Sequence, residues 1–183
     1  MQNLTQIDPR AAMSAARRVA VVLGLAFCLV LAISAFVLCW LVVDMAGLGR
    51  SLAGVGGYSV ENPEVWQSLM LTAVQLAQLC IWGGVIFSAR AMFKALAVGD
   101  PSMAARVARR FAAWLWVALI WGIAAQMLAS GISTWNFAEG ERMVAFQLSA
   151  AQITTVLAAL MAAVLSHAFA LGAELWQDHR EIV

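Results

Sequence analysis

One histidine lies within the apolar segments of this chain, and it is a candidate for acid–base or metal chemistry. His167 lies in an otherwise uncharged run and could ligate a metal or haem, or relay a proton. His179 follows twelve positions later, about 18 Å along a helix, so the two histidines cannot share one metal ion. We interpret His167 as a hydrogen-bonded histidine near the membrane interface. The sequence predicts no catalytic residue, no metal and no cofactor.

Polar side chains at a common depth are the second set of candidates. Counted outward from inner boundaries near 19, 89, 111 and 170 of four long uncharged runs, each run has such a residue about 15 positions deep, or roughly 21–23 Å along a helix. These residues are Ser34, Gln75, Gln126 and Thr155. The layer could be the substrate site of a small facilitative transporter or channel component. Hydrogen bonding between helices, worth about 0.6 kcal/mol per bond, is the interpretation we favour.

Four uncharged runs must position these residues. They span 19–43, 65–89, 111–138 and 143–173, in a chain of 183 residues that is 63% hydrophobic and 11% charged. Each exceeds the roughly 20 residues that cross a bilayer as a helix. None contains Asp or Glu, which argues against proton-coupled export. We predict an all-α, four-helix transmembrane bundle forming one membrane domain, with spans near 19–43, 65–89, 111–135 and 146–170.

Basic residues fall mainly on one side of these spans. Nine of the 11 Lys and Arg residues precede the first span, lie between the second and third, or follow the fourth. The positive-inside rule then predicts that both termini and the segment between the second and third spans lie in the cytoplasm. The glycine-rich segment 44–64 becomes an outer loop, which we expect to be mobile. Small residues at four-residue spacing predict close helix packing within the spans: Ala118, Gly122, Ala158 and Ala162.

A basic segment, 90–110, joins the second and third spans and contains strong turn signals. Gly99 suits the left-handed residue that closes a helix, Asp100 is a good N-cap, and Pro101 suits the first helical position. We predict a helical hairpin that extends both spans into the cytoplasm. Its basic face comprises Arg106, Arg109 and Arg110. An apolar stripe follows the same helix: Met103, Val107, Phe111 and Trp114.

The tail, residues 171–183, carries acidic residues in helical register. Glu174, Asp178 and Glu181 recur at i, i+4 and i+7, which predicts a helix that is acidic on one side beyond the membrane. This stripe suits either the arginines of the hairpin or a basic partner protein. The arginines also have a simpler interpretation, anchoring at the lipid headgroups.

The segments ALAVGDPSMAARVARRFAAWL and LGAELWQDHREIV resemble the bacterial membrane-protein family catalogued as domain of unknown function 2975. Its members are four-span proteins with a G-x-P motif that opens the third helix and an acidic tail. The matching residues are Gly99, Asp100 and Pro101 in the turn, and Glu174, Asp178, Glu181 and Val183 in the tail. Ser102 departs from the aromatic residue that is common there. The resemblance implies a location in the bacterial inner (cytoplasmic) membrane, no enzyme activity and one candidate partner, a small helix-turn-helix regulator.

These observations predict a non-enzymatic integral membrane protein that serves as an anchor or sensor. Its expected partner-binding residues are the hairpin arginines and the acidic residues of the tail. The expected partners are the lipid bilayer and a cytoplasmic transcriptional regulator, and self-association is left open. A net charge of +1 gives no support for direct binding of nucleic acid.

Overall fold

A computed structural model describes residues 9–58, 60, 62–137, 142, 144, 145, 147, 148 and 150–181, with the side chains of 9–12, 101 and 173–181 left out of that description. The described chain is all-α. Its helices are α1 (Pro9–Val43), α2 (Met45–Val55), α3 (Val65–Val98), α4 (Pro101–Ser133) and α5 (Ala150–Glu181). The helix that contains the fourth predicted span therefore begins at Ala150, a few residues later than position 146.

Four of these helices are long and apolar enough to cross a membrane. The candidate spans are Met13–Val43, Val65–Val98, Ser102–Ser133 and Ala150–Gly172. At most 22% of the most apolar window of each is buried within the protein. Apolar surface that is left uncovered to this extent requires an apolar solvent. The chain is therefore a multi-pass membrane protein.

The segment after α1 was expected to be a mobile loop, yet residues 45–55 form helix α2. Asp44 caps this helix, because its Oδ1 accepts a hydrogen bond from the Gly47 N–H at 2.8 Å. Gly57, with a φ of 82°, follows its end, and the Tyr58 N–H donates to the Ala53 carbonyl at 3.1 Å. The low helix propensity of the glycines is thus offset by a cap at one end and a glycine stop at the other.

The chain divides into two compact units. We call Met1–Phe27, Gly84–Leu115 and Leu157–Val183 the basic unit, because this part holds nine of the 11 Lys and Arg residues. We call Cys28–Gly83 and Trp116–Val156 the network unit, because the buried side chain of Gln67 forms hydrogen bonds there to several neighbouring groups.

Alanines on α4 form much of the core of the basic unit. Ala104 and Ala108 are completely buried, and Ala112 continues the same face one turn later. The predicted apolar stripe lies elsewhere on the helix, since Met103 and Trp114 are 46% and 39% exposed. Lipid solvates a large apolar side chain as well as protein does, whereas small side chains let helix backbones approach closely. The small residues therefore face the protein.

Of the four small residues that we expected to permit close packing, two are buried and two are not. Ala118 in the network unit and Ala162 in the basic unit are buried. Ala158 is exposed, and a methyl group added to Gly122 would have no neighbour within 4 Å. The buried position on α5 is Ala159, one residue later. A shift of one residue rotates a helix position by about 100°, so spacing alone did not identify the buried face.

Candidate functional site

The turn between α3 and α4 is closed by two backbone hydrogen bonds. Gly99 has a φ of 77°, in the left-handed region. The Gly99 N–H donates to the Leu96 carbonyl at 3.2 Å, and the Asp100 N–H donates to the Ala95 carbonyl at 3.3 Å. This pair of bonds is a Schellman motif, which glycine adopts without steric cost. It ends α3 with no intervening loop before α4.

Asp100 caps the helix that follows. Its Oδ1 accepts hydrogen bonds from the Met103 N–H at 3.0 Å and from the Ser102 hydroxyl at 2.8 Å, and Pro101 is the first residue of α4. The bond from the Met103 backbone, followed by that from the Ser102 side chain, lowers the pKa of Asp100 below its ordinary value of 3.8, with a smaller contribution from the positive charge of Arg106. The turn thus has the geometry that its three sequence signals predict.

The hairpin arginines lie on the exposed side of α4. Arg106, Arg109 and Arg110 are all exposed, whereas Ala104 and Ala108 on another face of the same turns are completely buried. In the part of the chain that is described, no ion pair joins Arg109 or Arg110 to another side chain. A well-packed helix therefore presents three positive charges outward. Such a surface can bind an acceptor with two oxygens, such as a carboxylate or a phosphate, through paired hydrogen bonds.

The acidic residues of the tail belong to α5 by their backbone. That helix continues to Glu181, well past Gly172, where the candidate span ends. The spacing of Glu174 and Asp178 with Glu181 therefore falls on helical positions, as the sequence predicts. The side chains of these three residues lie outside the described part of the chain, as does Val183.

Two members of the intramembrane polar layer bond to their own helices. The Ser34 hydroxyl donates to the Val30 carbonyl at 2.8 Å, and the Thr155 hydroxyl donates to the Ala151 carbonyl at 2.8 Å. Hydroxyl groups in apolar helices commonly satisfy themselves in this way. Neither bond links one helix to another, so interhelical hydrogen bonding is wrong for these two residues.

The other two members have different surroundings. Gln126 Oε1 accepts from the Gln147 N–H at 3.3 Å, and the Ser130 hydroxyl oxygen on the same helix accepts from the Ala145 N–H at 3.0 Å. Gln126 and Ser130 thereby contact two described residues that lie between α4 and α5. Gln75 is half-buried and makes no hydrogen bond to another described residue. The four residues do not converge on a common polar site through these contacts.

Gln67, which the sequence patterns did not single out, forms the centre of the network unit. It is 1% exposed, and its Nε2 donates to the Ile132 carbonyl at 2.9 Å. Its Oε1 accepts from the Glu64 N–H at 2.9 Å and from Asn136 Nδ2 at 3.3 Å. The side chain thus joins the first turn of α3 to the end of α4. The sequence signal was the spacing of Glu64 and Gln67, which is that of a capping box.

Aromatic residues surround this network. The Trp66 and Trp135 rings meet edge to face with centroids 6.0 Å apart, and Trp66 Nε1 donates to Glu64 Oε2 at 2.6 Å. The guanidinium carbon of Arg142 lies 5.3 Å from the centre of the Trp135 ring, within cation–π distance. The polar and charged groups here contact one another, which is typical of a structural cluster.

Among the described residues, His167 and the three cysteines make no hydrogen bond or ion pair with the hairpin arginines or with the Gln67 network. His167 is exposed on α5, and Cys28, Cys39 and Cys80 are exposed free thiols. Within the described ranges, no three metal-ligating side chains come together. The arginine surface of the basic unit is therefore the strongest candidate for a functional site.

Comparison with known proteins adds no relative to this picture. The chain matches no protein-family model, no curated protein and no solved structure. The resemblance of the hairpin and tail to the four-span family stays an expectation from the sequence, and function is argued from the surface of the basic unit.

Proposed function

We propose that this chain is a non-enzymatic anchor in the bacterial inner membrane, with both termini and the α3–α4 turn in the cytoplasm, and that it binds a cytoplasmic partner. The docking surface is the outward face of Arg106, Arg109 and Arg110. The occupant that the family resemblance suggests is a small helix-turn-helix regulator, which would be held at the membrane away from its DNA.

One observation carries this proposal. The three arginines are exposed on a helix whose other face is fixed by completely buried alanines and whose start is fixed by Asp100. A helix held in this way fixes the backbone positions of the three charges, so a partner need not order the backbone and only the side chains lose freedom on binding. Arginine side chains can bind carboxylates through two parallel hydrogen bonds.

Anchoring at lipid headgroups is the competing explanation of the same arginines. Headgroup anchoring requires positive charge near the membrane surface, at about 1 kcal/mol per residue, and makes no demand on side-chain shape. A partner with carboxylates that are recognised by two hydrogen bonds requires arginine itself. Replacing the arginines with lysines therefore separates the two explanations while keeping the charge that directs insertion.

The deciding experiment is the triple variant Arg106→Lys, Arg109→Lys, Arg110→Lys, with a photocrosslinking residue at the exposed position Ser102. We expect normal insertion, together with loss of a crosslink to a DNA-binding protein and changed transcription of the genes it controls. The variant Arg18→Lys, on α1, is the matched control and should keep the crosslink. Full retention of the crosslink and of transcription in the triple variant, or crosslinks to lipid alone, would leave headgroup anchoring as the explanation.

The tail supplies an independent test of the partner. Its acidic stripe suits a basic, DNA-binding protein, which the charge would steer toward this end of the chain. We expect the variant Glu174→Lys, Asp178→Lys, Glu181→Lys to insert normally and to lose recovery of the partner. Unchanged recovery and unchanged transcription would assign the stripe to a solvated helix face.

The orientation has its own test. The distribution of Lys and Arg residues supports cytoplasmic termini. A reporter fused after Tyr58 should report the outer side, and reporters at Gly99 and at the C-terminus should report the cytoplasm. A cytoplasmic signal after Tyr58 would overturn the orientation, and with it the side on which a partner is sought.

A further inference from the structure

A cavity of about 630 Å³ lies between α1 and α3 in the basic unit. One face of each helix lines it, since the contributing positions recur at three- and four-residue intervals. Three of the lining residues are cations: Arg17 on α1, and Arg90 and Lys94 on α3. The remaining lining is apolar apart from one serine, and it includes Ala20 and Val21. None of the residues that line the cavity is acidic.

Arg90 is half-buried in this site. Its Nε is buried and, within the described part of the chain, has no hydrogen-bond partner. A methyl group placed on Gly24 would lie 3.3 Å from both Cζ and Nε of Arg90. The guanidinium therefore lies against α1 at a residue that has no side chain. A buried N–H on a cation without an acceptor is costly, so an anion that reaches it would stabilise the site.

The described part of the basic unit does not supply that anion. Asp100 is its one acidic residue with a described side chain, and its carboxylate already caps α4. Three like charges around one cavity also repel one another. The most favourable occupant is therefore an anion with several oxygen acceptors. A phosphate group has these, and the guanidinium fork matches its geometry.

The surroundings of the cavity identify the source of the phosphate as a lipid. Arg17 lies two residues before the uncharged run 19–43, and Arg90 directly follows the run 65–89. On the side of those runs, the helix surfaces next to the cavity are apolar and exposed at Val21, Leu25 and Phe87. Acyl chains can lie along such surfaces while the headgroup occupies a basic pocket between transmembrane helices. A free phosphate ion would make no use of them.

We propose that the cavity lined by Arg17, Arg90 and Lys94 is a binding site for the phosphate headgroup of an anionic phospholipid. Arg90 contacts the phosphate through its guanidinium, and Arg17 and Lys94 balance the remaining charge. The site is separate from the outward arginines of α4, so it stands whether or not those residues bind a protein. It would fix α1 against α3 through a bound lipid.

The test is native mass spectrometry of the full chain in detergent, titrated with phosphatidylglycerol or with phosphatidylcholine. We expect phosphatidylglycerol to bind more tightly. Arg90→Gln and Arg17→Gln should each weaken its binding about tenfold or more, the loss expected for one charge-assisted contact. Arg18→Gln removes a charge from the neighbouring position on α1, outside the cavity, and should change binding less than about twofold. Equal losses for Arg17→Gln and Arg18→Gln would mean a diffuse basic flank and overturn the site.

Two further arms separate a built lipid site from other causes. Gly24→Leu keeps every charge but displaces the Arg90 guanidinium, so it should also weaken phosphatidylglycerol binding, and unchanged binding would contradict the geometry. Inorganic phosphate at millimolar concentration should not displace the lipid. If inorganic phosphate displaced the lipid from the unsubstituted chain but not from Arg90→Gln, the cavity would be a site for the free anion. That result would overturn the lipid assignment. Equal binding of the two lipids would overturn anion recognition altogether. Size-exclusion profiles that match the unsubstituted chain show that each variant is folded.

Discussion

The network unit and the basic unit differ in how their central polar residues are paired. In the network unit, the amide of Gln67 bonds to groups at the start of α3 and at the end of α4, and Arg142 stacks on Trp135. In the basic unit, Arg109 and Arg110 have no ion pair among the described residues, and Arg90 Nε has no hydrogen-bond partner there. In the network unit the central Gln67 and the charged Arg142 contact partners within the protein, although Ser68 Oγ, Trp121 Nε1 and Ser133 Oγ are buried there without a described hydrogen-bond partner. In the basic unit, the cations themselves stay available.

This difference indicates where binding is to be sought. A polar group that is satisfied within the protein gains little from a ligand, whereas a buried N–H of a cation without a partner, such as Arg90 Nε, gains a charge-assisted hydrogen bond. The core of the basic unit explains how it carries such charges. Its buried alanines allow close helix packing without help from the arginines. The charges are therefore free to serve a lipid or a protein.

The sharpest way to test the comparison is to break the network unit at its centre. Gln67→Leu removes the side-chain partner of the Ile132 carbonyl and of the Glu64 N–H, which are both only partly buried. We expect a loss of about 2–4 kcal/mol in the free energy of unfolding, because a buried side chain loses three hydrogen bonds at once. Denaturation in mixed micelles measures this quantity. Gln75→Leu, at a half-buried glutamine in the same helix, is the control. A similar loss in both variants would contradict a special role for Gln67.

The packing of the basic unit predicts the next largest effect. A methyl group on Gly84 would lie 2.9 Å from three ring atoms of Trp114, so the indole must move. Gly84→Ala should therefore cost about 1–3 kcal/mol of unfolding free energy, as overpacking usually does. Gly122→Ala, where the added methyl group has no neighbour within 4 Å, should instead stabilise by up to about 1 kcal/mol. Equal effects in the two variants would mean that helix propensity outweighs packing.

The elements of the fold that local signals specify were predictable from the sequence. The four apolar helices follow from uncharged runs, and the turn at Gly99 follows from three adjacent residues whose conformational preferences agree. An N-capping Asp44 and a terminating Gly57 are similar signals, but the glycines between them have low helix propensity and predicted a loop. A capped helix of 11 residues was therefore missed.

What the sequence could not provide was which face of each helix meets a neighbour. Periodicity within a membrane helix is weak, because lipid and protein core are both apolar. Ala159 and not Ala158 is buried, and the large side chains of Met103 and Trp114 face outward. The depth of Ser34 and Thr155 was similarly uninformative, because each hydroxyl bonds to the helix that carries it. The cavity beside Arg90 depends on Gly24, which is distant in the sequence.

A double-mutant cycle tests the corrected view of the polar layer. Gln126 bonds to the Gln147 N–H and Gln75 has no described partner, so the two glutamines are independent. We expect the effects of Gln75→Leu and Gln126→Leu on the free energy of unfolding to add within about 0.5 kcal/mol. A larger interaction energy would restore the layer as a set of mutual partners, and with it the case for a polar site inside the membrane.

The smallest expected effect concerns the α3–α4 turn and its dependence on pH. Bonds from Met103 and Ser102 to the charged carboxylate lower the pKa of Asp100 in the folded chain below 3.8. The unfolded chain binds this proton more readily, so the contribution of Asp100 to stability is complete above 3.8 and is lost as the pH falls through the lower, folded pKa. Asp100→Asn keeps an N-capping oxygen without a charge. We therefore expect the variant to melt slightly below the unsubstituted chain at neutral pH, and the difference to vanish in strong acid. The measurement is melting temperature in detergent across this acid range. A difference between the two chains that does not change with pH would mean that the charge of Asp100 contributes nothing to the cap.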